Sequence, residues 1–289
     1  MAKIVRCISS DGSLVMTAAD TTDVVARAQK IHQTSKVCTA ALGRLLTGAS
    51  IMGSMMKSEA ASLTLRVNGG GETGSVIAVS DSSGNVRGYI SNPLVEIEPR
   101  SEGKLDVGGA VGREGFLTVM RDEGAGEPYI GQVPLVSGEI AEDITSYYAI
   151  SEQIPTVCAL GVLVSREGGE VLAAGGLLIQ LLPGAPEEII DMVEDAAQKI
   201  RPVTSMLTQG LMPLEICKAA LPGIELEPLD ESAPEYRCNC TRERVKKALI
   251  STGREALLEM VRDEQTSVSC HFCNKKYRFK PEEIEELLK

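Results

Sequence analysis

The chain has 289 residues, enough for more than one domain, and its 43% hydrophobic content supplies a real core although it holds no Trp, three Phe and six Tyr. Its net charge of −11 is uneven: from Glu235 onward 12 Lys+Arg face 10 Asp+Glu, about +2, which leaves about −13 for the preceding part. An acidic body repels phosphate backbones and releases few counterions, so nucleic acid is not expected as a partner. The start, MAKIVRCISSDG, lacks the apolar stretch of a signal peptide, and no window approaches the roughly eighteen apolar residues of a membrane span. The expectation is a cytoplasmic protein without a membrane partner. In that compartment cysteine pairs point to metal or redox chemistry rather than to structural disulfides.

In chain order, KIVRCISS and SLVMTAAD read as strands joined by a hairpin turn at Asp11-Gly12. Thr21 to Gln33 has helical spacing, with Val24, Val25, Ala28 and Ile31 on one face and Thr21 or Thr22 as N-cap. Ser35 to Met56 is a longer helix, apolar on several sides. Strand patterns return in SLTLRVNG, GSVIAVSD and VRGYIS, and LTVMRD with YIGQVPL forms a further hairpin. Glu139 to Glu152 reads as a helix. TVCALGVLVS and EVLAAGGLLIQ form the last strand pair, around Glu167-Gly168-Gly169. Strands in hairpin order interrupted by helices predict an α+β core domain with a largely antiparallel sheet, over residues 1–180.

Residues 181–234 read as a helical linker and hinge. Pro186 to Ile200 is helical, and short helical pieces follow at Val203–Gln209 and Leu214–Ala220. Their apolar faces need something to cover. The stretch from Leu221 to Glu235 holds three prolines and five acids and is a hinge or linker by composition. Residues 235–289 then form a small basic module, marginal for an unaided hydrophobic core.

That module contains RCNC and, further on, SCHFCNKKY. Two close cysteine pairs separated by a spacer are the framework of a four-thiolate zinc site, here Cys238, Cys240, Cys270 and Cys273. The spacer from Thr241 to Glu259 reads as one or two helices. His271 sits between two of these cysteines and is expected to be a solvent-facing loop residue, since four thiolates complete the shell. The first corner is Cys-x-Cys rather than the usual Cys-x-x-Cys, a hint of redox use. Zinc-bound sulfurs are thiolates, the form oxidants attack, and loss of the metal is expected to unfold so small a module.

EYRCNCTRERVKKAL and VSCHFCNKKYRF, with SYYAISEQIPT and GGLLIQLLPGA, closely resemble the heat shock protein 33 family of redox-regulated chaperones, along essentially the whole chain. The resemblance implies an α/β core domain, a helical linker folded over it and a C-terminal zinc domain with one Zn2+. It implies a reduced form that is inactive. Oxidation then releases zinc and pairs Cys238 with Cys240 and Cys270 with Cys273. The active protein it implies is a homodimer that holds unfolded or partly folded clients without ATP, and is not an enzyme.

Elsewhere the bland readings are preferred. Cys7, Cys38, Cys158 and Cys217 lie in apolar runs and read as buried core thiols. NGGGETGS, Asn68–Ser75, lacks the Lys of a phosphate loop and reads as a hairpin turn. His32 has no local mark of a catalytic base. The run Ile51 to Met56 is a possible adaptable client surface, with ordinary helix packing the simpler reading. Glu282 to Glu286 reads as the solvated face of a terminal helix. Two other functions remain open: a zinc-containing nucleic-acid binder, against which the acidic body counts, and a thiol-disulfide oxidoreductase, against which a closed four-coordinate site counts.

Overall fold

The computed structural model describes residues 1–288. They form two compact units, Met1–Tyr236 and the chain from Arg237 onward. The fold is α+β with antiparallel sheets, as the order of strands and helices predicts. Among the described residues no helix is long and apolar enough to cross a membrane.

The first unit holds two five-stranded sheets. One is built from β1 (Lys3–Ser9), β2 (Leu14–Asp20), β8 (Thr156–Val164), β9 (Val171–Leu181) and β10 (Leu226–Ser232), in the order β10-β1-β2-β9-β8. The other runs β5-β4-β3-β6-β7, from β3 (Ser62–Gly70), β4 (Val76–Asp81), β5 (Val86–Ile90), β6 (Gly112–Asp122) and β7 (Tyr129–Pro134). The hairpin turn at Asp11-Gly12 is present, with Gly12 at φ +72°, a conformation that glycine adopts without steric cost.

Helix α1 (Thr22–His32) leads into α2 (Lys36–Ser54), which packs against β3, β4 and β5 of one sheet and β2, β8 and β9 of the other. Ser35 caps α2, its hydroxyl accepting from the Cys38 N–H at 3.3 Å. Almost every α2 side chain is buried, which matches the all-round apolar sequence. Two glycines let the helix come that close. A Cβ at Gly48 would lie 2.6 Å from Ile144, and one at Gly53 2.2 Å from the Ser80 hydroxyl. Helix α3 (Val107–Val111) was not legible as a helix, being a single turn of small residues. Helix α4 (Ala141–Tyr147) continues into a π-helical turn, Tyr148–Glu152, which completes the expected helix.

Alternation along the strands sorts the first sheet's side chains between two cores. Ile4, Ala19 and Leu178 join the cluster around α2, with Leu42, Leu45 and Leu46. Cys7, Leu14, Met16, Ala18, Leu177, Ile179 and Leu181 point the other way. That face is covered by α5 (Glu187–Ala197), α6 (Val203–Thr208) and α7 (Pro213–Ala220), through Val193, Val203, Met206, Ile216 and Cys217. The apolar stripes of the expected linker helices therefore cover the sheet.

The proline- and acid-rich stretch carries β10, a strand its composition does not announce. It is an edge strand, paired antiparallel with β1, and Pro228 sits where the register shifts. Proline and charge are tolerated at an edge because one side of the strand needs no ladder partner. Arg6 pairs with Asp230, and Lys3 with Glu231 at 2.6 Å. Beyond it Tyr236 is held by β5: its hydroxyl donates to the Gly88 carbonyl at 2.8 Å, and the Val86 N–H donates to the Glu235 carbonyl at 2.9 Å.

The second unit comprises α8 (Arg242–Ser251), α9 (Arg254–Met260), β11 (Thr266–Ser269), β12 (Lys276–Phe279) and α10 (Pro281–Glu286). The spacer is thus two helices, separated at Gly253, where φ is +92°. Its core is small: Val245, Leu249, Leu257, Tyr277, Phe279 and Ile284 are its buried side chains among the described residues. In α10, Glu282, Glu285 and Glu286 are exposed around the buried Ile284.

Ile216 is fully buried between α7 and the sheet. Ile216→Ala is expected to cost about 2–5 kcal/mol in urea unfolding. Hydrogen exchange should quicken more in residues 187–220 than in α2; an equal rise in both would show that the two faces of the sheet open together.

Candidate metal centre

The second unit's connections bring two short cysteine turns together. Cys238 and Cys240 lie in the irregular segment before α8, whose N-cap Thr241 accepts the Arg244 N–H at 3.2 Å. Cys270 and Cys273 lie in the turn of the β11–β12 hairpin, whose strands pair in register from Thr266↔Phe279 to Ser269↔Lys276. The turn is closed by the Asn274 N–H donating to the Cys270 carbonyl at 2.8 Å and the Cys270 N–H to the Lys275 carbonyl at 3.0 Å. Asn274 takes φ +57°, which asparagine tolerates better than most residues.

The four half-buried sulfurs all lie within 4.8 Å of one another. Cys238 Sγ is 3.7 Å from Cys270 Sγ, and Cys240 Sγ is 3.4 Å from Cys273 Sγ. A tetrahedral ion with bonds of about 2.3 Å to sulfur sets neighbouring sulfurs about 3.8 Å apart. The set is therefore compatible with a single metal ion. His271 is exposed and is not one of the grouped ligand atoms.

The environment divides the thiols. Burial pushes Cys238 and Cys273 up. At Cys240 burial acts upward too, but hydrogen bonds from the Tyr277 hydroxyl and the neighbouring thiols outweigh it and bring this thiol down to about 7. Tyr277 is the residue that sequence reading missed. Its hydroxyl lies 3.1 Å from Cys240 Sγ and 3.1 Å from the Cys240 carbonyl oxygen, so its one proton is offered to the ligand turn. The available signal was strand alternation: Tyr277 and Phe279 both point into the small core. Arg242 supports that core from outside, its guanidinium 4.2 Å from the Phe279 ring centroid and 2.6 Å from Glu283.

Other candidates fall elsewhere. Cys7, Cys38 and Cys217 are buried as expected. Cys158 departs from the expectation, because it lies on β8, partly exposed as a residue, yet its thiol is deep enough that burial pushes it up to about 12. Asn68–Ser75 spans the β3–β4 turn. His32 Nε2 lies 3.0 Å from the Tyr236 hydroxyl. In the methionine run, Ile51 and Met52 pack in the core. Met55 and Met56 are partly buried and, with Met52, Tyr147, Tyr148 and Ile154, line a cavity of about 400 Å³.

Comparison with known proteins agrees with this geometry. A family model described as Hsp33 protein matches residues 2–280. The 33 kDa chaperonin of Clostridioides difficile (strain 630) is 47% identical over 287 residues, 99% of this chain and 98% of that protein. The 33 kDa chaperonin of Bacillus cereus (strain B4264) is 44% identical with the same coverage. The crystal structure of the 33 kDa chaperonin from Thermotoga maritima matches with a TM-score of 0.90 at 35% identity, covering 99% of this chain and 97% of that one. The chain belongs to the Hsp33 family, and these relatives are named as chaperonins and not as enzymes.

Tyr277→Phe keeps the ring in the core and removes the proton offered to Cys240. Metal affinity is expected to fall about tenfold or more, the usual effect of losing an outer hydrogen bond. The pH at which metal is lost should move up, because Cys240 then protonates more readily. A competition titration with a chromogenic chelator across pH measures both, and an unchanged profile would remove Tyr277 from the site.

Proposed function

We propose that this protein is a redox-switched, ATP-independent holdase that acts in the cytoplasm under oxidative stress. In this reading residues 1–180 are the client-binding and dimerising core, 181–234 the linker, and 235–289 the switch. The observation that carries it is the gathering of Cys238, Cys240, Cys270 and Cys273 in a unit with six buried core side chains. The donor set favours zinc: four thiolates suit its softness and tetrahedral preference. When bound, zinc holds the sulfurs as thiolates and supplies much of the unit's folding free energy.

The chain's residues do the rest. A thiolate attacks a peroxide oxygen, the O–O bond breaks and one water leaves, and the neighbouring thiolate then attacks the sulfenic sulfur, breaking the S–O bond with loss of a second water. Repeated in each corner, this yields Cys238–Cys240 and Cys270–Cys273, with two electrons passing to peroxide per disulfide. The sulfurs are then no longer ligands, and six core side chains cannot hold the unit folded. Strand β10 ends six residues before Cys238, so melting of the switch reaches the covered sheet along the chain. Release of α5, α6 and α7 bares Leu14, Met16, Leu177, Ile179 and Leu181, a contiguous apolar surface for unfolded clients. A second copy of the chain completes the active dimer. Nucleic acid and membrane have no part in this reading, and no catalytic turnover is assigned.

Peroxide treatment is expected to release one zinc per chain, consume four thiols and turn on suppression of aggregation of a chemically denatured client enzyme, followed by light scattering. Equal protection by the reduced, zinc-loaded protein would sink the switch. Chelation alone should raise hydrogen exchange throughout residues 237–288.

A further inference from the structure

Two cavities of the first unit adjoin at one wall. The first, of about 400 Å³, is lined by Met52, Met55 and Met56 around the C-terminal end of α2. The second, of about 450 Å³, lies where β9 leaves the sheet, among Pro155, Leu181, Leu182 and Ile190. Ile154 and Gln180 line both. Gln180 sits on β9, opposite Val15 on one neighbouring strand and Thr156 on the other, and is 7% exposed. Among the described residues its amide makes one hydrogen bond, a long one of 3.4 Å from Nε2 to the Thr156 hydroxyl. An acceptor oxygen and a second N–H are therefore left over at the wall of both cavities. A buried amide so poorly paired is uncommon, and it marks a place where a bound group gains hydrogen bonds. The charges at the first cavity cancel. Arg121 closes on Glu152 at 2.9 and 3.1 Å, and the exposed Lys57 and Glu123 add one charge of each sign. The second cavity is lined by no charged residue.

We propose that the two cavities together bind a short, uncharged, extended stretch of unfolded polypeptide. Side chains two residues apart on an extended chain point the same way, about 6.6 Å from each other. One can therefore enter each cavity, astride the wall formed by Ile154 and Gln180. The Gln180 amide meets the backbone between them, its oxygen accepting a peptide N–H and its spare N–H donating to a peptide carbonyl. Backbone bonds hold any sequence, and the cavities select apolar side chains at alternate positions. Met52, Met55 and Met56 suit a site that takes many sequences, since unbranched thioethers repack around different shapes. A lipid tail would fill the same volume and leave the amide unpaired, so the amide favours a peptide. The site deepens the function proposed above and rests on it for its purpose. Leu181 and Ile190 also belong to the cluster between the sheet and its helical cover, so the site borders the surface that release of α5 extends. It offers a client a first, small area of contact.

The reduced, zinc-loaded full chain is labelled at its methionine methyl groups and titrated by NMR with the peptide acetyl-TLTLT-amide. Saturable shifts are expected at Met52, Met55 and Met56, and not at Met16 and Met206, which lie in the cluster under the helical cover. Gln180→Met keeps the length and bulk of the side chain and removes its amide, and it should weaken the peptide about tenfold. The same peptide N-methylated at its central residue should lose a similar factor on the wild type and little more on Gln180→Met. Decanoate, a single apolar tail, should bind both proteins alike. Absence of saturable shifts, shifts confined to Met16 and Met206, or equal affinity of the wild type for the plain and N-methylated peptides would overturn the proposal. The peptide pair tests the backbone bond on the wild type alone, so poor folding of the variant does not obscure the outcome. No oxidant is used: a peptide that binds here while the oxidised protein fails to protect clients removes the holdase and leaves the site, and the reverse removes the site alone.

Discussion

A β-sheet that is apolar on both faces has to be covered twice, and the two covers of the sheet β10-β1-β2-β9-β8 are physically unlike. One is α2, long, buried nearly all round and clamped against a second sheet, with Gly48 and Gly53 allowing contacts no larger residue would permit. Removing it would dismantle both sheets. The other is a set of three short helices. Helices of that length are marginal in water without tertiary packing, so α5, α6 and α7 are held by what Val193, Met206 and Ile216 bury against the strands. Each fully buried aliphatic side chain of this kind contributes about 1.5–3 kcal/mol. In the function proposed above, a cover resting on a few such anchors comes off while the rest of the unit stands.

The second unit is the counterpart at the other end of the scale. It has enough side chains to define a shape and too few to stabilise it. Its hairpin, its two short helices and its capping interactions all orient four sulfurs, and the sulfurs return stability only as ligands. A disulfide across one or two residues constrains little of the chain. Four thiolates on one ion tie the segment before α8 to the β11–β12 turn. In the function proposed above, oxidation exchanges a long-range tie for two local ones, and that exchange would couple a sulfur reaction to unfolding.

Much of this was legible because the relevant signals are local. Period-two alternation and the turn residues at Asp11-Gly12 and Asn68–Ser75 located the hairpins, and the cysteine spacing located the sulfur cluster. The resemblance of RCNCTRERVKKAL and SCHFCNKKY to a known family agreed with both. The failures share a cause. Strand β10 reads as linker because an edge strand tolerates Pro228 and a row of acids, and its partners on β1 are more than two hundred residues away. Tyr277 reads as an ordinary strand residue because nothing local says that its hydroxyl reaches Cys240. The division of the first sheet into two faces was visible strand by strand, but which face met α2 and which met α5 to α7 is a property of the assembled topology.

The eight cysteines show how far one side chain's chemistry is set by its surroundings. Cys38 and Cys158 are packing groups of the core around α2, and the Cys38 thiol donates to the Asn92 carbonyl. Cys240 is surrounded by three other thiols and a phenol, and thiolate is favoured there. Cys7 and Cys217 are fully buried in one apolar cluster. Reactivity toward oxidants scales with thiolate character and access, so these environments rank the cysteines in the order in which a rising oxidant level reaches them. In the function proposed above, the half-buried sulfurs of the second unit are the ones an oxidant reaches first.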